Sequence, residues 1–224
     1  MWKEILNNAD AVLFDLDGTV VDSMWIWKQI DIDYFAKCGL KMPETYQKEI
    51  EGLSFYETAL YTRNKYLPHL QTEDLMNDWN EMAYDHYVSD VWPKEEVIRF
   101  LKHLKGRGIS AGIATSNSRI LCEATLKKND LLPFFDSIIT GEEKTAGKPA
   151  PDIYIASAKA LGADPQRCIV FEDLSNGIRA GKAAGMTVVA VYDEYSAYQW
   201  QEKCDLADHH IMSYREITDE ICES

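Results

Sequence analysis

The chain has 224 residues, 46% of them hydrophobic and 27% charged, with a formal net charge of -14. That is enough apolar material for a sizeable core, and the acidic balance argues against nucleic acid, whose binding runs on clustered Lys and Arg. No apolar run approaches the roughly 18 residues of a membrane helix, and Met1-Trp2-Lys3-Glu4 lacks a secretory signal's regions, so a cytoplasmic protein with no membrane partner is expected.

The first predicted strand, Ala11 to Phe14, runs into Asp15-Leu16-Asp17-Gly18-Thr19. Side chains alternate in an extended segment, so Asp15 and Asp17 project to the same side, and Gly18 can take the positive φ of a sharp turn. Two acids on one side repel unless a cation or a shared proton lies between them. Asp-Gly is also an ordinary turn.

From about Val20 to Tyr87 there are helical patterns, such as Trp27, Ile30, Tyr34 and Cys38, and no convincing strand. This reads as a helical insertion placed to fold over the acidic loop, although extra helices at a sheet edge would show the same periodicity. A helix over Lys94 to Lys105, closed by Gly106, leads to a strand at Ser110 to Ala114. Thr115-Ser116-Asn117 follows, offering hydroxyls, an amide and N–H groups where a helix starts: an anion site or a plain N-cap.

After a strand at Ser137 to Thr140 comes Gly147-Lys148-Pro149-Ala150-Pro151-Asp152, where prolines stiffen the approach to a helix over Asp152 to Leu161 and can fix Lys148. A lone lysine is more often solvated. The strand Cys168 to Phe171 delivers a second acidic pair, Glu172-Asp173, which alone also suits a turn or a cap. A helix from about Ser175 to Ala184 carries a small-residue stripe, Gly177, Ala180, Gly181 and Ala184, and a last strand spans Thr187 to Val191. Strands alternating with helices predict an α/β fold with a parallel sheet. Five cysteines, Cys38, Cys122, Cys168, Cys204 and Cys222, form no CxxC pair and read as reduced thiols, and the five histidines show no metal-ligand spacing.

The ordered set Asp15-Leu16-Asp17-Gly18-Thr19, Thr115-Ser116-Asn117, Lys148-Pro149 and Phe171-Glu172-Asp173 resembles the four motifs of the haloacid dehalogenase superfamily, over Val12 to about Val191. The insertion after the first motif resembles the helical-cap subfamily that includes β-phosphoglucomutase and many small-molecule phosphatases. The resemblance implies a Rossmann-like parallel sheet core, residues 1–19 and 88–224, with an inserted α-helical cap domain, residues 20–87. It further implies an Mg²⁺-dependent phosphatase for a small phosphorylated metabolite, with a monomer favoured. Asp15 would be the nucleophile, and Asp17 the acid and then the base. The metal set would be the Asp15 carboxylate, the Asp17 backbone carbonyl, Asp173, and Glu172 directly or through water. Thr115, Ser116, Asn117 and Lys148 would bind the substrate phosphate.

By alignment, Phe55 stands where the mutase resembled here places a phosphate-binding arginine, and Trp27 where it places a histidine. A phenyl ring supplies neither that charge nor those hydrogen bonds, which favours a phosphatase over a phosphosugar mutase. Trp27 and Phe55, with Trp25 and Tyr56, could form an aromatic wall over the substrate or simply pack the cap. Lys48 invites a Schiff-base reading, but its acidic neighbours favour a solvated ammonium. A non-catalytic binding protein would have no need of both Asp15 and Asp17.

Overall fold

Ala11, Val12, Leu13 and Phe14 are buried along their whole length, so the strand they form must be covered on both faces. The structure, a computed structural model, describes residues 1–142 and 146–222; the Cys222 side chain also lies outside what is described. Along the chain come α1 (Trp2–Asn7), β1 (Ala11–Phe14), β2 (Val21–Asp22), α2 (Met24–Lys37), α3 (Tyr46–Ile50), α4 (Phe55–Tyr66) and α5 (Thr72–Ser89). Next are β3 (Trp92–Pro93), α6 (Val97–Arg107), β4 (Ser110–Ala114), α7 (Arg119–Lys128), β5 (Ser137–Ile139) and α8 (Asp152–Leu161). The chain continues through β6 (Cys168–Glu172), α9 (Ser175–Ala183), β7 (Thr187–Val191), α10 (Trp200–Leu206), β8 (His209–Ile211) and α11 (Arg215–Cys222).

Six strands make one parallel sheet in the order β5-β4-β1-β6-β7-β8. The chain leaves β1 toward β4 and β5, then returns to the other side through β6. Such a reversal opens a crevice at the carboxyl ends of the strands. Asp15, Thr115 and Glu172 all sit at those ends, because Phe14 pairs in register with both Ile113 and Phe171. Phe14 stacks on Phe171 at 5.2 Å between ring centroids, with Phe100 edge-on to Phe14 at 6.1 Å. This aromatic packing locks together the two strand ends that carry the acids.

Alternation sorts the sheet's side chains into two cores. Val12 and Phe14 belong to one, with Phe100, Leu104 and Ile217 of α6 and α11; Ala11 and Leu13 belong to the other, with Tyr154, Ala158 and Ile178 of α8 and α9. The helices α2 to α5 lie between β2 and β3, which pair antiparallel as a two-stranded ribbon where the chain leaves and re-enters the sheet domain. Tyr34, Phe55, Trp79 and Tyr87 pack this insertion's interior.

Three local features differ from expectation. The helix expected to close at Gly106 runs on to Arg107, and Gly108 caps it with φ 68°. Its start falls at Val97 rather than Lys94, because Glu96 takes a left-handed conformation, φ 63°, that a helix cannot run through. The ribbon β2–β3 and the edge strand β8 are two or three residues long, too short for a period-2 signal to emerge.

Candidate active site

The four sequence segments converge on the crevice. Asp15 N–H donates to the Phe171 carbonyl at 3.0 Å, so the first acid is pinned to β6 through the main chain. Lys148, 7% exposed, reaches in from the loop before α8 and donates to Asp15 Oδ1 at 2.6 Å and to Glu172 Oε1 at 2.5 Å. Glu172 is saturated: Oε1 also accepts from Tyr154 Oη at 2.7 Å, and Oε2 accepts from the N–H groups of Asp173 and Leu174 at 3.0 and 3.2 Å. Asp173 is not. Its Oδ1 accepts from Thr19 Oγ1 at 3.3 Å, whereas Oδ2 is buried with no partner.

The acids of Asp15, Glu172 and Asp173 each place an oxygen within 4.8 Å of the others. Burial pushes Asp15 up to about 8 despite the charge of Lys148, and Glu172 and Asp17 add to the rise. Burial also lifts Asp173 well above the usual carboxylate range, reinforced by Glu172 and Asp15. For Lys148 burial opposes the charge, but Asp15 and Glu172 outweigh it and raise its affinity for the proton. One ammonium thus faces three carboxylates, leaving an excess of negative charge that a hard divalent cation would relieve. The orphaned Asp173 Oδ2 is the observation that makes this donor set fit such an ion, since buried polar atoms rarely go without a partner. Gly18, at φ 76°, allows the approach: a Cβ there would lie 2.3 Å from that oxygen.

The Asp17 side chain turns away from this triad. Oδ1 accepts from Ser23 Oγ at 2.5 Å and from Tyr87 Oη, and Oδ2 accepts from Asn117 Nδ2 at 2.9 Å. Tyr87 Oη in turn receives the Trp27 indole N–H at 3.0 Å and Asn117 Nδ2 at 2.9 Å. Two donors therefore occupy the tyrosine oxygen, and its own proton is directed to Asp17. Burial pushes the Asp17 carboxyl up, while Ser23, Tyr87 and Asn117 pull it back.

Asn117, expected among the phosphate-binding residues, has its amide N–H groups committed to Asp17 and Tyr87 and its Oδ1 to the Ser118 N–H at 2.7 Å. Its side chain holds the second aspartate instead. Thr115 is buried at the end of β4, and Ser116 is partly exposed. Both line, with Asp15, Asp17 and Lys148, a cavity of about 990 Å³ roofed by the helical insertion.

Trp27 and Phe55 line that cavity too, and they also pack: Phe55 is 6% exposed, with its ring edge-on to Trp27 and Trp79. Trp25 lies outside the cavity lining, against His86, and Tyr56 is likewise not part of it. Lys48 lines the cavity and is exposed. The insertion is docked on the loop after β4 and the loop before α8, through Phe55 N–H to the Ser116 carbonyl at 2.8 Å and Gly147 N–H to Glu57 Oε2 at 3.0 Å.

Motif reasoning does not reach Tyr87 and Tyr154, whose partners Asp17 and Glu172 lie 70 and 18 positions away, nor Ser23, six residues past Asp17 and outside the motif. One signal was present but read too narrowly. Gly177 belongs to the small-residue stripe, and its specific task is to clear Glu172, whose Oε1 would lie 1.8 Å from a Cβ there.

A six-stranded parallel sheet with acids, a lysine and hydroxyls at its carboxyl edge, under a helical roof, defines a Rossmann-like α/β fold with its polar cavity at the strand ends. The chain belongs to the haloacid dehalogenase-like hydrolases, whose family model matches residues 12–191. Hexitol phosphatase A of Escherichia coli is 32% identical over 80% of this chain and 81% of its own length. The bifunctional riboflavin kinase/FMN phosphatase of Arabidopsis thaliana is 29% identical over 85% of this chain, which spans 50% of that relative. Among solved structures, β-phosphoglucomutase from Clostridium difficile superimposes with a TM-score of 0.79 at 23% identity, covering 96% of both chains. Among the described residues no helix is long and apolar enough to cross a membrane.

Proposed function

We propose that this chain is an Mg²⁺-dependent phosphatase that hydrolyses a small phosphomonoester through an aspartyl-phosphate at Asp15. The observation that carries this reading is Lys148 bridging Asp15 and Glu172 beside the unpartnered Asp173 Oδ2. Asp15 Oδ2, Asp173 Oδ2 and the Asp17 carbonyl would hold the metal, with the saturated Glu172 acting through water. Once bound, the ion would neutralise the acids and polarise the phosphoryl oxygens.

Asp15 attacks phosphorus; the bond to the leaving oxygen breaks as Asp17 gives that oxygen a proton, releasing an alcohol. Water then attacks the aspartyl-phosphate, Asp17 takes its proton, and the bond from phosphorus to Asp15 breaks to release phosphate. Thr115 Oγ1, the Ser116 N–H and Lys148 Nζ steady the phosphoryl oxygens. Core residues 1–19 and 88–224 carry this chemistry, and residues 20–87 act as a cap hinged at the β2–β3 ribbon.

Two relatives named as phosphatases support the reaction class. No arginine among the described residues lines the cavity, which weakens the mutase alternative's claim to a second phosphate clamp. A cytoplasmic, monomeric enzyme with no nucleic-acid partner fits the charge and the cavity. The test is a panel of phosphorylated metabolites and p-nitrophenyl phosphate with Mg²⁺, read as free phosphate. Asp15→Asn should lose activity by about 10³-fold or more while keeping its fold. Full activity in that variant would falsify the covalent mechanism, and rapid isomerisation of β-glucose 1-phosphate without phosphate release would favour the mutase.

A further inference from the structure

Across the cavity, a chain of hydrogen bonds runs from core to cap. Tyr195 Oη donates to Gln47 Oε1 at 3.1 Å, and Gln47 Nε2 donates to Asp31 Oδ2 at 2.5 Å. Asp31 is 6% exposed and lines the same cavity as Asp15. Among the described residues nothing donates to its Oδ1. An inaccessible oxygen in that condition would be an orphan; this one retains access to the cavity, so it is an acceptor waiting for a donor.

The position says more. Asp31 follows Trp27 by four residues on α2, which places both on the helix face turned to the cavity. Asp31 touches none of Asp15, Asp17, Lys148 or Glu172, so a group that meets it belongs to the leaving group and not to the phosphate. The cavity volume of about 990 Å³ exceeds what a phosphate alone requires. Lys28, Lys41 and Lys48 line the same space and are exposed. Glu44 and Glu51 line it as well, so the charges there are of both signs, and what Asp31 Oδ1 asks for is a hydrogen-bond donor such as a neutral hydroxyl or ring N–H.

We propose that Asp31, braced by Gln47 and Tyr195, selects the leaving group by accepting a hydrogen bond from a neutral hydroxyl or ring N–H remote from the scissile ester. The proposal rests on the phosphatase reading above. It assigns the substrate to phosphomonoesters of polyols, sugars or nucleosides, as opposed to simple alkyl or aryl esters that carry no such donor.

The experiment compares kcat/KM for sorbitol 6-phosphate, ribose 5-phosphate and uridine 5′-monophosphate with that for p-nitrophenyl phosphate, in wild type, Asp31→Ala and Asp31→Asn. Asp31→Asn preserves an acceptor for Gln47 and turns an N–H₂ group to the cavity, so it reverses the polarity at constant shape. At least one donor-bearing ester should outperform p-nitrophenyl phosphate in wild type. Its advantage should fall roughly ten- to a hundredfold in either variant, the loss expected when a buried hydrogen bond is removed and its partner is left unpaired. An advantage within twofold of wild type in folded Asp31→Asn would overturn the proposal, as would an equal loss on every ester, which would make Asp31 a brace for the cap. If wild type hydrolyses p-nitrophenyl phosphate but favours no donor-bearing ester, selection by Asp31 fails and the phosphatase reading stands. If wild type hydrolyses none of the esters with Mg²⁺, both fall.

Discussion

The two walls of the cavity are built in different ways. At the sheet end, Asp15, Glu172 and Lys148 are tied to strand ends and to one another, and Asp173 Oδ2 is the buried oxygen left open there. At the cap end, one main-chain link, Phe55 N–H to the Ser116 carbonyl, is joined by contacts through long side chains: Gln47 with Tyr195, Glu51 Oε1 accepting from Gln199 Nε2 at 2.6 Å, and the Glu51 carbonyl accepting from Asn176 Nδ2 at 3.2 Å. Main-chain hydrogen bonds leave fewer free torsions than links through side chains of residues 148 positions apart. On the proposed reading, the sheet end would supply the preorganised reaction centre and the cap end the discrimination between leaving groups.

The largest break in this contrast comes from Asp173→Asn. If the sheet end is a cation site, the variant should lose Mg²⁺ or Mn²⁺ affinity by at least about a hundredfold, and activity with it. Calorimetric titration of the metal measures this directly. The metal-free variant should melt higher than metal-free wild type, because one of three mutually repelling buried carboxylates has been neutralised. Unchanged metal affinity would mean that the triad is a structural acid cluster and that the two walls do not divide the work in this way.

The same contrast governs what the residues disclose before any fold is known. Asp15, Asp17, Glu172 and Asp173 stand out because they lie at or just past strand ends, where two residues of offset decide the side on which a carboxylate emerges, and Lys148 because prolines flank its loop. Tyr87 and Ser23 do not. Tyr87 reaches Asp17 from 70 residues away and is, in its own segment, one more aromatic on a helical stripe. Asn117 shows the same limit: a polar residue after a strand suits an anion, and the approach of α5 gives its side-chain amide the partners Asp17 and Tyr87. Gly106 and Gly108 show the limit for helix ends, since both glycines are eligible caps and the positive φ falls at the second.

Tyr87→Phe sharpens the contrast at the seam between the walls. Removing the hydroxyl takes one donor from Asp17 and strands the Trp27 N–H and one Asn117 N–H. If the tyrosine positions Asp17 for proton transfer, kcat should fall about ten- to fiftyfold for alkyl phosphates, whose leaving oxygens need a proton. It should fall much less for p-nitrophenyl phosphate, whose phenolate departs without one. A merely structural role would lower both rates alike.

The smallest effect is expected on stability, from Asp31. Burial pushes its carboxyl up to about 7, against the hydrogen bond from Gln47, which pulls it down. The folded protein therefore keeps a proton on Asp31 between about pH 4 and 7 where the unfolded chain has released it. Folding takes up that proton, so this residue's contribution falls as pH rises through the window and is constant above it. Burial lifts the Tyr46 and Tyr195 hydroxyls above their ordinary values, so neither releases a proton in that window. Asp31→Asn has no proton to lose. Its stability relative to wild type should rise by about 1–2 kcal/mol between pH 4 and 8, less than the full linkage of ~1.4 kcal/mol per unit because one oxygen meets the cavity. Urea unfolding of both proteins at matched pH measures the difference. Parallel pH profiles would show that Asp31 is ionised throughout, and therefore that the cap wall, like the sheet end, holds its acid by a compensating charge and not by exclusion of water.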